Sequence, residues 1–206
     1  MVGQSTRKGG YLYGPWVRPR NLAANSMGSI HEDETARQYG MRGALVSGRL
    51  HLPAFAPLLA EVYGNDWFEH GTLFVEFRYG TLDQEEVRAV LEEPSEAAPM
   101  APVQARLERP DGKLVARGSA GMGPHLRALD LTSYVDGAYE LRNLHGPLFL
   151  DRPYRVWSEV IGRGQSPKTE YIWYESHVVD EADRCCAELR MQLRFMKRTA
   201  GPTLLT

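Results

Sequence analysis

Residues 29–64, SIHEDETARQYGMRGALVSGRLHLPAFAPLLAEVYG, decide the fold because they contain the main helical pattern of the chain. The first part predicts a short helix over residues 32–39, whose acidic start suits the positive end of a helix dipole. Ser29 or His31 is expected to cap this helix, and Gly40 to end it. The stretch also concentrates residues that could take part in catalysis, since a histidine precedes the helix and a Ser-Gly pair follows it.

The second part of the stretch predicts the principal helix, which begins at Ser47 as N-cap and ends at Gly64. Pro53 fits near its first turn, whereas Pro57 predicts a kink or a later start of the helix. Apolar residues recur at the spacing of one helix face, namely Leu50, Ala54, Leu58, Leu59 and Val62. This helix is therefore the one large element able to cover a sheet.

The rest of the chain has the two-residue period of β-strands. Residues 1–15 are expected to form a tail, and residues 17–22 a short strand interrupted by Pro19. Because an antiparallel sheet must cover its apolar face, the sequence predicts an α+β fold in which the sheet wraps around one central helix. The main strands are predicted at residues 72–78, 86–92, 103–109, 114–120, 154–162, 169–179 and 184–197.

Composition excludes several classes of protein. The chain has 206 residues, of which 43% are hydrophobic, so it can bury a sizeable core. Its formal net charge of -2 argues against nucleic-acid binding, and no apolar run is long enough to span a membrane. A secretory signal is not evident, and adjacent Cys185 and Cys186 are not expected to form a mutual disulfide, so a cytoplasmic location is expected. Since no further cysteine and no nearby histidine accompany this pair, no metal site is predicted.

Several motifs together resemble the hotdog fold, and more narrowly the MaoC-like or (R)-specific enoyl-CoA hydratase group. That group's pattern is roughly Asp-x-Asn-Pro-Ile-His-x-Asp, then Ala-x-x-x-Gly-Phe, then Ile-x-His-Gly-Met leading into the central helix. The strand at residues 73–78 and the closing hairpin from residue 164 onward also resemble the group. The matching positions of the motif are Ile30-His31-Glu32-Asp33, Ala36, Gly40-Met41 and Leu45-Val46-Ser47-Gly48.

The resemblance implies a hydro-lyase that hydrates a 2-enoyl thioester or dehydrates a 3-hydroxyacyl thioester, carried on CoA or on an acyl carrier protein. His31 would act as acid/base, Ser47 would join it in the catalytic site by bonding the ligand, and the backbone N–H of Gly48 at the helix start would stabilise the thioester oxygen. The resemblance implies no cofactor. Sites of this fold usually form between two lobes or two subunits, so a homodimer is expected.

The chain departs from the group's pattern around the expected site. The group's aspartate lies five residues before the histidine, where this chain has Ser26 next to Asn25. The group's histidine before the helix glycine is replaced by Ser47. We expect Asn25, Ser26 and Asp33 to contact substrate, and Arg49 to meet a CoA phosphate or a substrate carboxylate.

Alternatives to these assignments remain open. His31 and Ser47 are also typical capping residues, and Arg49 is a typical solvated surface charge. His51, on the principal helix, is more typical of a packing residue. The missing aspartate favours a catalytically silent acyl-thioester-binding protein or a partner subunit. A hotdog thioesterase would need an activating carboxylate, which the sequence does not locate.

The strand pattern divides the chain into three parts. Residues 16–121 are predicted to form a hotdog lobe around the principal helix. Residues 122–149, rich in glycine and proline, are interpreted as a connecting segment with at most one short helix or strand. Residues 150–198 are predicted to be a three-stranded half-repeat that extends the same sheet without a helix of its own.

Overall fold

The computed structural model describes residues 4–123 and 137–197, which form one large sheet with a few short helices. The strands are β1 (Thr6–Lys8), β2 (Tyr11–Tyr13), β3 (Gly71–Phe77), β4 (Arg88–Glu92), β5 (Val103–Glu108), β6 (Leu114–Met122), β7 (Ala138–Asn143), β8 (Arg155–Gln165), β9 (Thr169–Val179) and β10 (Cys185–Met196). The helices are α1 (Asp33–Gln38), a 3₁₀ helix (Gly48–Ala54), α2 (Ala56–Tyr63) and α3 (Trp67–His70). Within the described ranges, none of these helices is long and apolar enough to cross a membrane.

All ten described strands belong to one sheet, in the order β1-β2-β4-β5-β6-β3-β7-β10-β9-β8. Every neighbouring pair is antiparallel. The strands predicted at the C-terminus continue this sheet at one end. The predicted α+β architecture, an antiparallel sheet around one central helix with extra C-terminal strands, is confirmed.

Helix α2 buries its apolar face against the N-terminal half of the sheet. Leu58 and Leu59 are buried there, together with Phe55 at the junction with the 3₁₀ helix. Pro53 lies within the 3₁₀ helix, and Pro57 lies in the first turn of α2, where its missing N–H costs no helical bond. The helix therefore starts late, as Pro57 predicted. Facing residues on the strands include Leu12, Val75, Ala89, Leu91, Ala105, Leu107 and Val115.

The C-terminal half of the sheet extends beyond α2. Residues that pair across neighbouring strands form a row on the helix-facing side, from Val75 through Tyr139, Met191 and Tyr174 to Val160. Val75 is fully buried in the cluster under α2, whereas Val160 at the far end is 62% exposed. In the described parts of the chain, no helix packs along this side of β10, β9 and β8.

The structure corrects the prediction at the N-terminus. Residues 4–15, predicted as part of a tail, contain β1 and β2, and Leu12 of β2 is fully buried in the core. Residues 17–22 form no strand, since Val17 makes a single bridge to Val87. The alternating pattern in these segments is too short to distinguish strand from loop.

The predicted connecting segment contains β7, which lies between β3 and β10 and joins the two halves of the sheet. Residues 124–136 of this segment lie outside the described residues, and so does the tail predicted from residue 199.

We expect Leu58→Ala to lower the free energy of unfolding by about 2–5 kcal/mol, because it leaves a cavity between α2 and the sheet. Urea denaturation followed by circular dichroism measures the change. Leu22→Ala is the matched control, since Leu22 is 70% exposed and the same truncation there should change stability by less than about 0.5 kcal/mol. Equal losses in the two variants would contradict the role given to α2.

Candidate functional site

His31 lies in the turn before α1 and directs a ring nitrogen at the backbone. Its Nδ1 is 2.7 Å from the carbonyl oxygen of Leu45. Because a carbonyl only accepts hydrogen bonds, Nδ1 carries a proton, and in the neutral imidazole Nε2 then holds the lone pair. No described residue hydrogen-bonds to Nε2, so the half-buried ring presents an available base. His31 is not a cap, since the N-cap of α1 is Glu32 and no side chain caps that helix.

The Ser47–Gly48–Arg49 turn follows Leu45 and opens the 3₁₀ helix. Ser47 holds the N-cap position but makes no side-chain capping bond. Its hydroxyl and the backbone N–H of Arg49 instead hydrogen-bond to the phenol of Tyr139 on β7. A Cβ on Gly48 would lie 2.7 Å from the ring of Tyr139, so the position is too close-packed for a side chain. No described residue accepts the Gly48 N–H, which remains available as a donor.

Two tyrosines that the sequence did not single out complete this corner. Burial raises the pKa of Tyr139, against the lowering effect of the Ser47 hydroxyl and of the N–H and charge of Arg49. Burial also raises the pKa of Tyr174, as does Tyr139, whereas Arg49 lowers it. Both phenols are therefore neutral at physiological pH. The alternation of inward and outward side chains along β7 and β9 could have identified these tyrosines from the sequence, since it places both rings on the helix-facing side.

The other predicted site residues lie elsewhere or have partners. Asn25 and Ser26 are exposed in the loop before α1. Asp33 accepts the backbone N–H of Ala44 at 3.0 Å and pairs with Arg37 at 2.9 Å, and these contacts lower the pKa of Asp33. Asp33 thus fixes the loop between α1 and the 3₁₀ helix. A contact of these three residues with substrate stays a prediction.

His51 hydrogen-bonds to the backbone of the Ser47–Gly48–Arg49 turn from the buried side. Its buried ring places Nε2 2.7 Å from the hydroxyl of Thr81, while Nδ1 faces the carbonyls of Ser47 at 3.2 Å and Gly48 at 3.3 Å. Nδ1 therefore donates, and Nε2 accepts from Thr81. Burial lowers the pKa of His51, although the two carbonyls act in the opposite direction. The residue has the packing role that the sequence predicted for it.

An apolar surface begins where the Ser47–Gly48–Arg49 turn meets Tyr139. We call it the open sheet face and define it by Tyr174, Met191, Leu193, Ile172 and Val160, which lie on the helix-facing side of β8, β9 and β10. Leu193 is 40% exposed there. The corner thus combines a backbone donor at Gly48 with an adjoining apolar strip, and His31 contacts the same loop through the Leu45 carbonyl. This arrangement suits a ligand with a polar head and an apolar chain.

Comparison with known proteins supports the fold. No family model and no curated protein matches the sequence. Among solved structures, the dehydratase domain of PpsC from Mycobacterium tuberculosis in complex with C12:1-CoA has a TM-score of 0.53 at 8% identity, covering 95% of this chain and 98% of that chain. GphF dehydratase 1 has a TM-score of 0.50 at 11% identity, covering 97% and 98% respectively. These likenesses show the fold, and the predicted hotdog fold is confirmed.

The lowered pKa of His51 predicts a pH-dependent contribution to stability. In the unfolded chain this histidine takes up a proton below its ordinary pKa of about 6.5, whereas in the folded protein burial resists protonation. The contribution is therefore complete above about pH 6.5 and is lost as the pH falls toward the lowered folded pKa.

His51→Gln should consequently reduce the difference in free energy of unfolding between about pH 8 and about pH 5.5. Urea denaturation at the two pH values measures it. His70→Gln, at a side chain that is more than half exposed, is the control and should keep the wild-type difference. An unchanged pH dependence in His51→Gln would show that this ring is not kept neutral by folding.

Proposed function

We propose that the protein binds an acyl thioester and hydrates its 2-enoyl group, or runs the reverse dehydration of a 3-hydroxyacyl group. The observation that carries the proposal is the orientation of His31, whose Nδ1–H is held by the Leu45 carbonyl while no residue of the described ranges bonds to Nε2. The dehydratase neighbour bound to C12:1-CoA supports the substrate class. We further propose that the chain belongs to the MaoC-like group and acts as a homodimer, as the sequence resemblance implies, and that it is cytoplasmic, as its cysteine pattern favours.

In the proposed hydration, His31 Nε2 takes a proton from water as the water oxygen bonds to C3 of the enoyl group. The imidazolium then returns a proton to C2, which gives the 3-hydroxyacyl thioester and restores the neutral histidine. Negative charge develops on the thioester oxygen between these steps. The N–H of Gly48 is the donor proposed to stabilise that charge.

The acyl chain is proposed to lie along the open sheet face. The thioester carbonyl at the Ser47–Gly48–Arg49 turn would direct the chain past Tyr139 toward Met191 and Val160. Burying this chain against exposed strand residues contributes roughly 25 cal/mol for each Å² of apolar surface removed from water. The exposed guanidinium of Arg49 lies at the polar end, where it suits a phosphate of the carrier.

A catalytically silent acyl-thioester-binding protein is the second candidate, favoured by the carboxylates that adjoin His31. Glu32 accepts hydrogen bonds from the hydroxyl of Thr35 at 2.6 Å and from the N–H of Gly28 at 3.1 Å. Asp33 is held by the loop that follows α1. Because both carboxylates have structural partners, neither orients His31 or activates a water molecule.

Catalysis by His31 predicts that the wild-type protein hydrates crotonyl-CoA and that His31→Ala lowers kcat/KM by about 10²- to 10⁴-fold. The loss of enoyl-thioester absorbance measures the rate. His70→Ala is the matched control and should leave the rate unchanged, because His70 lies at the end of α3 outside the corner.

The outcomes separate the two candidates. A rate that is the same in wild type and His31→Ala sinks the role given to His31. No hydration by the wild type, with a CoA ester still bound, favours the silent binding protein.

The place given to Arg49 predicts that Arg49→Ala weakens binding of a CoA ester about two- to fivefold at low salt, since exposed ion pairs are worth at most about 1 kcal/mol. The difference should shrink as salt rises. Titration calorimetry with butyryl-CoA measures the affinity. Arg18→Ala, which removes an exposed arginine paired with Glu86, should bind like wild type. Equal affinities for wild type and Arg49→Ala would contradict the proposed site for the carrier.

A further inference from the structure

The side of the sheet that faces away from α2 carries charged residues that are buried or nearly so. Arg142 pairs with Glu175 at 3.3 Å and also with Glu188, while Arg190 pairs with Glu175 and with Glu140 at 3.5 Å. Buried charges are costly unless each has a partner, so the arrangement calls for an explanation. We call it the ionic cluster and define it as Glu140, Arg142, Glu175, His177, Glu188 and Arg190.

His177 has a carboxylate on each side of its ring. The residue is 9% exposed, and its ring stacks on Trp157 with a centroid distance of 3.9 Å. Nδ1 lies 3.2 Å from Oε1 of Glu188, and Nε2 lies 3.3 Å from Oε1 of Glu175. Nε2 is buried and makes no hydrogen bond of acceptable geometry to any residue of the described ranges. A neutral imidazole has one N–H, so either tautomer turns a lone pair toward a carboxylate.

The thiol of Cys185 lies near Nδ1 of His177, on the side of the ring that faces Glu188. Sγ of Cys185 lies 4.0 Å from Nδ1 of His177. The sequence-based expectation that no histidine lies near the cysteine pair is therefore wrong. His177 pairs directly with Glu188 across β9 and β10, and an irregularity between Cys185 and Ala187 displaces the strand so that the thiol joins them. This proximity depends on strand register, which the spacing of the residues along the chain does not show.

We propose that the protein binds a zinc ion through Nδ1 of His177, Sγ of Cys185 and Oε1 of Glu188. The three ligand atoms already lie within 4.8 Å of one another. A tetrahedral zinc site requires about 3.3 Å between nitrogen and oxygen ligands and about 3.6 Å between nitrogen and sulfur. The observed separations are 3.2 Å and 4.0 Å, so the nitrogen and oxygen ligands already have the required spacing and the thiol must move closer to both of them.

The surroundings of the three ligands match those of a zinc site. With the metal on Nδ1, the proton of His177 is on Nε2 and faces Glu175, which is the usual carboxylate–histidine–metal arrangement. Arg142 pairs with Oε2 of Glu188 and leaves Oε1 for the ion. Metal binding replaces a weak hydrogen bond of 3.6 Å from the Cys185 thiol to a backbone carbonyl. The fourth position is left for solvent.

The mixed donor set selects zinc among common divalent ions. Magnesium and calcium prefer oxygen ligands, whereas nitrogen, thiolate sulfur and one carboxylate suit zinc. The pair of acidic groups formed by Glu159 and Glu175 on the Nε2 side of the ring offers oxygen ligands without sulfur. Because Nε2 is taken by its proton in the proposed arrangement, that second group is not a second site.

Cobalt substitution tests the proposal on the purified full-length chain. After dialysis against a chelator, Co²⁺ is expected to bind with one ion per chain and to give thiolate-to-cobalt charge-transfer absorption, which Zn²⁺ then removes by displacement. Cys185→Ala should abolish the absorption. Cys186→Ala is the matched control, because this neighbouring cysteine is buried outside the three ligands, and it should retain the absorption.

Glu175→Gln tests the contact behind the histidine. It keeps all three ligands and should weaken Zn²⁺ binding about 10- to 100-fold in a competition titration. Circular dichroism establishes that each variant is folded. Absence of charge-transfer absorption in the wild type, which would mean that His177 is simply protonated between its two carboxylates, overturns the proposal. Absorption that persists in Cys185→Ala overturns it as well.

Discussion

One short helix covers half of a large sheet, and the rest of the structure depends on this constraint. Leu58 and Leu59 of α2 fill the concave side of the N-terminal half. In the described residues, no second helix does the same for β8, β9 and β10. The row of paired residues from Val75 to Val160 therefore runs across neighbouring strands from the buried core to an exposed apolar surface. A chain built in this way has a ready surface for an apolar ligand.

The candidate site lies where the covered half meets the open half. The Ser47–Gly48–Arg49 turn precedes α2 and contacts β7, the strand that joins both halves of the sheet. In the core, Nδ1 of His51 hydrogen-bonds to the carbonyls of Ser47 and Gly48. On the sheet, the phenol of Tyr139 hydrogen-bonds to the hydroxyl of Ser47 and the N–H of Arg49. A donor at the helix start and the end of an apolar surface are thus placed together by packing. His31 is bonded to the loop that leads into this turn, at the Leu45 carbonyl three residues before Gly48.

Local patterns in the sequence predicted the helix and the long strands, because these depend on periodicity, and short motifs singled out His31, Ser47 and Gly48 as candidates. Long-range contacts were not predictable in the same way. The tautomer of His31 depends on a carbonyl 14 positions away, and the pairing of Tyr139 with the turn depends on strand order. The strands β1 and β2 are three residues each, too short to show a period. Cys185 and His177 meet through register and a strand irregularity.

The central claim is that an acyl thioester lies with its carbonyl at the Ser47–Gly48–Arg49 turn and its chain along the open sheet face. Amide chemical shifts measured during titration with a non-hydratable acyl-CoA test this claim directly. The account predicts that the resonances of Gly48 and Met191 shift together with one dissociation constant, while those of β1 stay unchanged. Saturable binding that leaves both Gly48 and Met191 unperturbed would contradict it.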